Sequence, residues 1–213
     1  MLERFRQFWT NVWAPLGDLL LRLGVSPNTV TVVGTLGVCA GALIFFPQGW
    51  LLAGVVVITA FVFSDMIDGY MARTSGQISP FGAFLDSTLD RIGDAAIFGG
   101  LAMYYVGPGD SEWLAALSIY CLTMGSVTSY ARARAESLGM QAKVGIAERS
   151  DRLVSILAMT GFADLFRLLG LDGAMWLIPI TLGVLAVASS VTVLQRILVV
   201  RQQALAGPPP PTE

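Results

Sequence analysis

Residues 65–90 read DMIDGYMARTSGQISPFGAFLDSTLD, and the interpretation of the whole chain starts from this stretch. It carries four aspartates inside strongly apolar surroundings: Asp65, Asp68, Asp86 and Asp90. Each charged carboxylate near the middle of a membrane helix costs about 2.5–3.5 kcal/mol on insertion scales, so four of them need a compensating partner. The pattern therefore predicts a cation site inside a membrane protein.

The composition and the apolar runs are those of a membrane protein. Of the 213 residues, 54% are hydrophobic and only 13% are charged, which lies outside the range of soluble globular domains. A helix needs about 20 residues to cross a hydrocarbon layer of about 30 Å. We predict an all-α integral membrane fold, one domain over residues 1–206, whose 28–200 region forms a bundle of six transmembrane helices: 28–47, 51–73, 82–106, 113–135, 151–170 and 174–200.

The two ends of the chain differ from the bundle. Residues 1–23 combine apolar side chains at helical spacing with charged ones such as Glu3, Arg4 and Arg6. This pattern favours an amphipathic helix lying in the membrane interface over a cleavable signal peptide, with a packing helix of the soluble type as the alternative. Residues 207–213 are rich in proline and are predicted to form a disordered tail.

Basic residues indicate the orientation of the chain. In the six-helix arrangement, Arg167 falls on one side of the membrane and the other basic residues fall on or near the side that holds the N-terminus. Positive residues concentrate on the cytoplasmic side. We therefore predict a multi-pass protein of the plasma membrane with both termini and the aspartate cluster facing the cytoplasm.

The aspartates form two pairs, each on one face of a helix. Asp65 and Asp68 are three residues apart on the second predicted helix, and Asp86 and Asp90 are four apart on the third. The connection 74–81 is short enough to make these helices an antiparallel hairpin. At a rise of about 1.5 Å per residue, the two pairs come level with each other and can face one another.

Carboxylates are the ligands that the cluster offers. The sequence contains no histidine, and its two cysteines, Cys39 and Cys121, lie in separate apolar runs. Such a hard-oxygen site suits Mg²⁺ or Mn²⁺ and does not suit zinc. Two such ions a few ångströms apart assist displacement at phosphorus, so a site with two ions is predicted; a divalent-cation transporter is the alternative.

Small and basic residues accompany the cluster. Gly69 and Ala72 leave bare backbone beside Asp65, where a bulky ligand can approach, although small residues also serve helix packing. Arg73, at the membrane edge, is placed for a phosphate group. Asp94 continues the same face outside the pattern, and we interpret it as a carboxylate satisfied by its packing partners rather than a metal ligand.

The spacing D-x2-D-G-x2-A-R-x8-G-x3-D-x3-D over residues 65–90 resembles the signature of the CDP-alcohol phosphotransferases at each fixed position. Together with the helix layout, the resemblance covers essentially the whole chain. It implies a homodimeric integral membrane enzyme that moves a phosphatidyl or phosphoalcohol group from a CDP-linked donor to an alcohol and releases CMP.

The same resemblance implies roles for individual residues. Asp65, Asp68 and Asp86 would hold the metal ions, and Asp90 would bind metal and act as the base on the incoming hydroxyl. An upstream segment at the start of the first predicted helix resembles one used near the cytidine, with a helix cap and a packing threonine as the alternative. The residues that would bind the CDP donor are Asp68, Gly69, Ala72, Arg73, Asn28 and Thr31.

Arginines outside the signature bear on the acceptor. Three arginines lie within or at the ends of predicted helices that can surround the carboxylates: Arg134, Arg152 and Arg196. The general excess of positive charge on the cytoplasmic side explains arginines at these positions less well than it explains arginines in loops. Because arginine binds phosphate bidentately, they favour an acceptor that carries a phosphate. Inositol 1-phosphate and glycerol 3-phosphate are the candidates.

Two further runs, ARARAE at 131–136 and AERSDR at 147–152, resemble the actinobacterial, mycobacterial-type branch of the family that uses inositol 1-phosphate. That resemblance implies CDP-diacylglycerol as the donor and phosphatidylinositol phosphate as the product, with the three arginines holding the acceptor phosphate. Synthesis of phosphatidylglycerophosphate or of phosphatidylinositol within the same family is the alternative.

Overall fold

The structure, a computed structural model, describes residues 14–206 apart from the side chain of Asp65. The regular elements in this range are helices, which confirms the all-α prediction. Residues 14–22 are helical, and seven longer helices follow: α1 (Pro27–Ala40), α2 (Leu51–Val62), α3 (Ser64–Thr74), α4 (Pro80–Val106), α5 (Glu112–Ser137), α6 (Arg149–Leu168) and α7 (Leu177–Ala206). A π-helical turn (Gly41–Phe45) and a 3-10 turn (Phe46–Gln48) extend α1, and a second 3-10 turn (Asp172–Trp176) precedes α7.

Four stretches in the described part of the chain are long and apolar enough to cross a membrane: Pro27–Gln48, Leu51–Thr74, Glu112–Ser137 and Asp172–Ala206. The described part of the chain therefore has an all-helical fold of the integral membrane type. The α4 helix has 27 residues and α6 has 20, lengths that also suffice for a crossing at about 1.5 Å per residue. Charged residues such as Asp86, Asp90 and Asp164 make these two helices less apolar, so six spans remain a prediction.

The N-terminal segment is described from residue 14 onward. The helix at 14–22 contacts α3, because the Tyr70 hydroxyl donates to Asp18 Oδ1 at 2.9 Å and a Cβ on Gly17 would lie 2.7 Å from the Tyr70 ring. The predicted interfacial helix 1–23 falls partly outside the described residues, and the predicted tail 207–213 falls wholly outside them. Both therefore stay predictions.

Close contacts between α-carbons divide the chain into two compact units, Met1–Gly100 and Leu101–Glu213. The prediction of a single domain over 1–206 stays a prediction. In the first unit, α1 packs against α2 and α3. A side chain at Gly34 would overlap Ser64, and one at Gly37 would overlap the Phe61 ring. These two glycines thus allow α1 to lie directly against the junction between α2 and α3.

The predicted helix 51–73 is interrupted at Phe63, so α3 begins at Ser64, one residue before the aspartate pattern. The Ser64 hydroxyl donates to the Phe61 carbonyl at 2.6 Å, and the Met66 N–H bonds to the Phe63 carbonyl three residues back at 3.1 Å. Serine hydroxyls that bond nearby carbonyls compete with the regular helix ladder. The carboxylates of α3 consequently sit on a short helix with its own start.

In the second unit, α7 packs against both α5 and α6. Polar bonds cross the α5–α7 contact, where the Tyr120 hydroxyl and Ser190 Oγ are 2.7 Å apart and the Cys121 thiol donates to the Leu182 carbonyl at 3.3 Å. The connection 138–148 between α5 and α6 has no helix of its own. It is held by side chains of α7, as described below.

Candidate active site

Asp68 is the buried carboxylate of the first unit, with 8% of its surface exposed. The hydroxyl of Thr31, also buried, donates to Asp68 Oδ2 at 2.6 Å and lies 3.1 Å from the Pro27 carbonyl on its own helix. A hydrogen bond to a charged group stabilises by about 1.5–3 kcal/mol. Thr31 is therefore more than a packing residue, since it joins α1 to the aspartate pattern on α3.

The starts of α1 and α4 meet beside Gly82. Ser79 Oγ accepts the Gly82 N–H at 3.0 Å and caps α4. A Cβ on Gly82 would lie 3.3 Å from Ser79 Oγ and 3.4 Å from Asn28 Oδ1. The glycine of the signature thus leaves the space next to the Asn28 side chain open, and Asn28 lies at the mouth of the α3–α4 hairpin.

Arg73 lies across the bare backbone of Gly69. A Cβ on Gly69 would be 3.3 Å from Arg73 Nη1, and the Arg73 side chain is exposed. Ala72 is half-buried on the same helix. The guanidinium that the sequence assigns to a phosphate therefore shares one surface with the glycine assigned to the nucleotide.

The α4 carboxylates lie in different surroundings. Asp86 is exposed, and its charge acts on Asp68, as the hairpin prediction requires. Arg91 Nη2 is 3.8 Å from Asp90 Oδ2 and 3.5 Å from Asp94 Oδ2. Asp94 is buried, and its ion pair agrees with the interpretation of a carboxylate satisfied by packing partners.

The predicted metal site is incomplete in the described residues. Asp65 belongs to α3 three residues before Asp68, but its side chain is not described. Among the described side chains, no three acidic, thiol or imidazole groups are arranged around one metal position. The donor chemistry nevertheless fits a hard cation, because Asp68 and Asp86 repel each other and a divalent ion relieves that repulsion.

Arg152 and Arg196 are buried in the second unit. Only 2% of Arg152 and 5% of Arg196 is exposed. Arg152 Nη1 donates to the Ala147 carbonyl at 3.3 Å, and its guanidinium lies over Gly125, where a Cβ would be 3.2 Å from Nε. Arg196 Nε donates to the Val144 carbonyl at 2.9 Å. Both arginines thus hold the same short segment of the connection 138–148.

Arg134 lies apart from that segment. It is exposed near the end of α5, and its Nη1 donates to Ser137 Oγ at 3.3 Å. The neighbouring Arg132 pairs with Glu136 at 3.0 Å. Of the three arginines assigned to the acceptor phosphate, the structure brings Arg152 and Arg196 to one segment and leaves Arg134 on the surface.

Sequence reasoning missed Thr192. Its hydroxyl oxygen accepts from the Ile146 N–H at 3.2 Å and from the Ala147 N–H at 3.3 Å. The residue lies one helical turn before Arg196, on the same face of α7. That spacing was visible in the sequence, but its partners depend on the path of the connection.

Comparison with known proteins assigns the family. A family model described as CDP-alcohol phosphatidyltransferase matches residues 24–206. The chain belongs to the CDP-alcohol phosphatidyltransferase family. It is accordingly a phosphotransferase, and the family assignment favours the enzyme interpretation over the transporter.

Individual members of the CDP-alcohol phosphatidyltransferase family match nearly the whole chain. The phosphatidylinositol phosphate synthase of Streptomyces avermitilis is 52% identical over 206 residues, which cover 96% of this chain and 84% of that protein. The Cutibacterium acnes protein of the same name is 49% identical over 207 residues, covering 95% and 98%. The names of these relatives agree with the prediction that the chain belongs to the branch of the family that uses inositol 1-phosphate.

Crystal structures of family members share the fold. The Mycobacterium tuberculosis phosphatidylinositol phosphate synthase with CDP-DAG bound superposes with a TM-score of 0.82 and 38% identity, covering 89% of this chain and 94% of that one. The same synthase in complex with manganese and citrate gives 0.79 and 37%, covering 89% and 88%. The second structure indicates that this family uses a divalent metal.

Proposed function

We propose that this enzyme transfers the phosphatidyl group of CDP-diacylglycerol to inositol 1-phosphate, giving phosphatidylinositol phosphate and CMP. The observation that carries the proposal is the 52% identity to a phosphatidylinositol phosphate synthase over 96% of the chain. The donor follows from the solved relative that holds CDP-DAG. The acceptor's phosphate is consistent with the positive charge of Arg134, Arg152 and Arg196.

In this proposal, the aspartate pattern binds the diphosphate of the donor through metal ions. Asp65, Asp68, Asp86 and Asp90 would hold two Mg²⁺ or Mn²⁺ ions, whose charge offsets that of the diphosphate and of the departing CMP. Thr31 supports this role because its hydroxyl fixes one oxygen of Asp68. Oxygen ligands that are themselves hydrogen-bonded keep a defined orientation toward a cation.

The nucleotide lies, in this proposal, along the surface shared by Gly69, Ala72 and Arg73. Arg73 contacts a phosphate of the donor, since its exposed guanidinium lies over Gly69. Asn28 sits beside the open space at Gly82, where its amide can bond the edge of the cytosine. Thr31 joins the same pocket through Asp68.

Asp90 is the proposed base. It removes the proton from the inositol hydroxyl as the hydroxyl oxygen attacks the phosphorus that bears diacylglycerol. The bond between that phosphorus and the bridging oxygen breaks, and CMP leaves with the electron pair. Asp90 suits this role because it is half-buried rather than sealed in the core.

Three arginines are the proposed ligands of the acceptor phosphate. Arg134 is exposed and contacts it directly. Arg196 has five N–H donors, of which the carbonyls of Val144 and Thr128 take two, so the others can bond phosphate oxygens. Arg152 adds a third positive charge. Glycerol 3-phosphate carries the same group and is the competing acceptor.

The enzyme works in this proposal as a homodimer of six-span protomers in the plasma membrane, with both termini and the active site in the cytoplasm. Basic residues support six spans. If α4 and α6 both cross, then Arg132, Arg134 and Lys143 fall on the same side as the N-terminus, as positive residues of cytoplasmic loops do.

CMP release by the purified enzyme tests the function. CDP-diacylglycerol and Mg²⁺ are supplied with inositol 1-phosphate, inositol or glycerol 3-phosphate in parallel, and inositol 1-phosphate alone is expected to support release. Asp90→Asn should lower turnover by at least about 100-fold, as loss of a general base does. Asp110→Asn, a matched change in an exposed turn, should have no effect.

Two other results would each overturn one part of the proposal. Release with glycerol 3-phosphate alone would overturn the assigned acceptor and retain the donor site. Near-normal turnover by Asp90→Asn would show that another group, or the solvent, takes the proton.

A further inference from the structure

The segment Val144–Ala147 of the connection between α5 and α6 is held by four hydrogen bonds from side chains, at Val144, Ile146 and Ala147. The Val144 carbonyl accepts from Arg196 and the Ala147 carbonyl accepts from Arg152. The Ile146 and Ala147 N–H groups both donate to Thr192 Oγ1. We call this the acceptor segment, and its backbone groups are fixed by side chains rather than by secondary structure.

Thr192 is the centre of this arrangement. The residue is fully buried at 0% exposure, and its own hydroxyl proton goes to the Ala188 carbonyl at 2.9 Å. Its oxygen is therefore oriented to accept the two N–H bonds. The Gly145 backbone adopts a φ of +147°, and a side chain there would overlap Thr192 Cγ2. The segment thus fits against Thr192 in shape as well as in hydrogen bonding.

One face of α7 holds the whole connection. Thr192, Arg196 and Gln203 are separated by four and seven residues, which places them within about 40° of one another around the helix. Gln203 Oε1 accepts the Gln141 N–H at 2.9 Å and its amide donates to the Gln141 carbonyl at 2.6 Å. The connection is consequently anchored along α7 from Gln141 to Ala147.

We propose that Thr192 is a positioning residue for the acceptor phosphate, because it holds the two peptide groups that lie between the carbonyls bonded by Arg196 and Arg152. The inference rests on the proposed function. A planar guanidinium binds phosphate through two parallel N–H bonds, so the orientation of its plane affects the binding. The carbonyls of Val144 and Ala147 orient those planes, and Thr192 holds the peptide groups between the two carbonyls.

Thr192→Val tests this role, since it keeps the shape of the side chain and removes the acceptor oxygen. The apparent KM for inositol 1-phosphate is expected to rise about tenfold, while the KM for CDP-diacylglycerol stays within about twofold. Thr192→Ser keeps the oxygen and should restore the wild-type KM. Thr181→Val is the matched control, because the Thr181 hydroxyl bonds the Leu177 carbonyl of its own helix.

Hydrogen–deuterium exchange provides a readout that does not depend on the acceptor. The Ile146 and Ala147 amides should exchange at least about tenfold faster in Thr192→Val than in the wild type, and α3 should be unchanged. Gly145→Ala disturbs the same contact from the other side and should give the same two effects. It replaces Thr192→Val if that variant does not fold.

The outcomes separate the two proposals. If the wild-type enzyme releases no CMP with inositol 1-phosphate, the proposed function is wrong, whatever the exchange rates are. An active wild type whose acceptor KM is unchanged in Thr192→Val, or whose two KM values rise together, would overturn the positioning role. Unchanged exchange at Ile146 and Ala147 would show that Thr192 does not hold the segment.

Discussion

At the scale of single residues, Thr31 links the first helix to the aspartate cluster. Its bond to Asp68 orients a carboxylate of the signature. Loss of a residue that orients a metal ligand typically lowers metal affinity or activity by about 10–100-fold. The role of Thr31 can therefore be separated from that of the ligands themselves.

Thr31→Val should raise the Mg²⁺ concentration for half-maximal CMP release by about 10–100-fold. A titration of activity with Mg²⁺, together with the shift in melting temperature that Mg²⁺ produces, measures the effect. Thr35→Val is the control, because the Thr35 hydroxyl bonds the Thr31 carbonyl on the same helix. Equal midpoints for Thr31→Val and the wild type would contradict the linkage.

The sequence could predict residues whose role follows from spacing. Asp68 and Asp86 were expected to come level across the hairpin, and the charge of Asp86 does act on Asp68. The burial of Arg152 and Arg196 against backbone carbonyls was not predictable. Those bonds depend on the path of the connection 138–148, which has no periodicity to indicate it.

At the scale of elements, the helix bounds followed the apolar runs closely. The predicted 28–47 and 113–135 correspond to Pro27–Gln48 and Glu112–Ser137. The break between α2 and α3 was not predicted, because it comes from a local bond of the Ser64 hydroxyl rather than from hydropathy. This break lies where α1 is in closest contact with the next two helices.

Gly34→Ala should weaken the packing of α1 at that break. The added Cβ would overlap Ser64, and overpacking of this kind costs about 1–3 kcal/mol. The melting temperature of the detergent-solubilised enzyme measures the loss. Gly99→Ala, at a helical position with open space around it, should leave the melting temperature unchanged or raise it. A stable Gly34→Ala variant would mean that α1 can move away without loss.

At the scale of the whole molecule, hydropathy and charge distribution favour different numbers of spans. Within residues 14–206, four stretches are apolar enough to cross by themselves, whereas α4 and α6 carry the charges that the proposed chemistry needs. Functional charges inside a membrane face partners rather than lipid. A span that contributes to a site can therefore cross the membrane although its mean hydropathy is lower than that of the other spans. Both counts place the two termini on the same side.

The six-span and four-span arrangements differ in the side of the membrane on which Glu112 and Lys143 lie. With six spans, Glu112 lies outside and Lys143 inside; with four, both positions are reversed. We expect a membrane-impermeant maleimide to label Glu112→Cys and not Lys143→Cys in intact spheroplasts, each in a chain that also carries Cys39→Ala and Cys121→Ala. Both sites are exposed on the protein, so disruption of the membrane should label both. Labelling of Lys143→Cys alone in intact spheroplasts would establish four spans. Lys143 and the neighbouring basic residues would then lie outside the membrane, against the usual charge asymmetry.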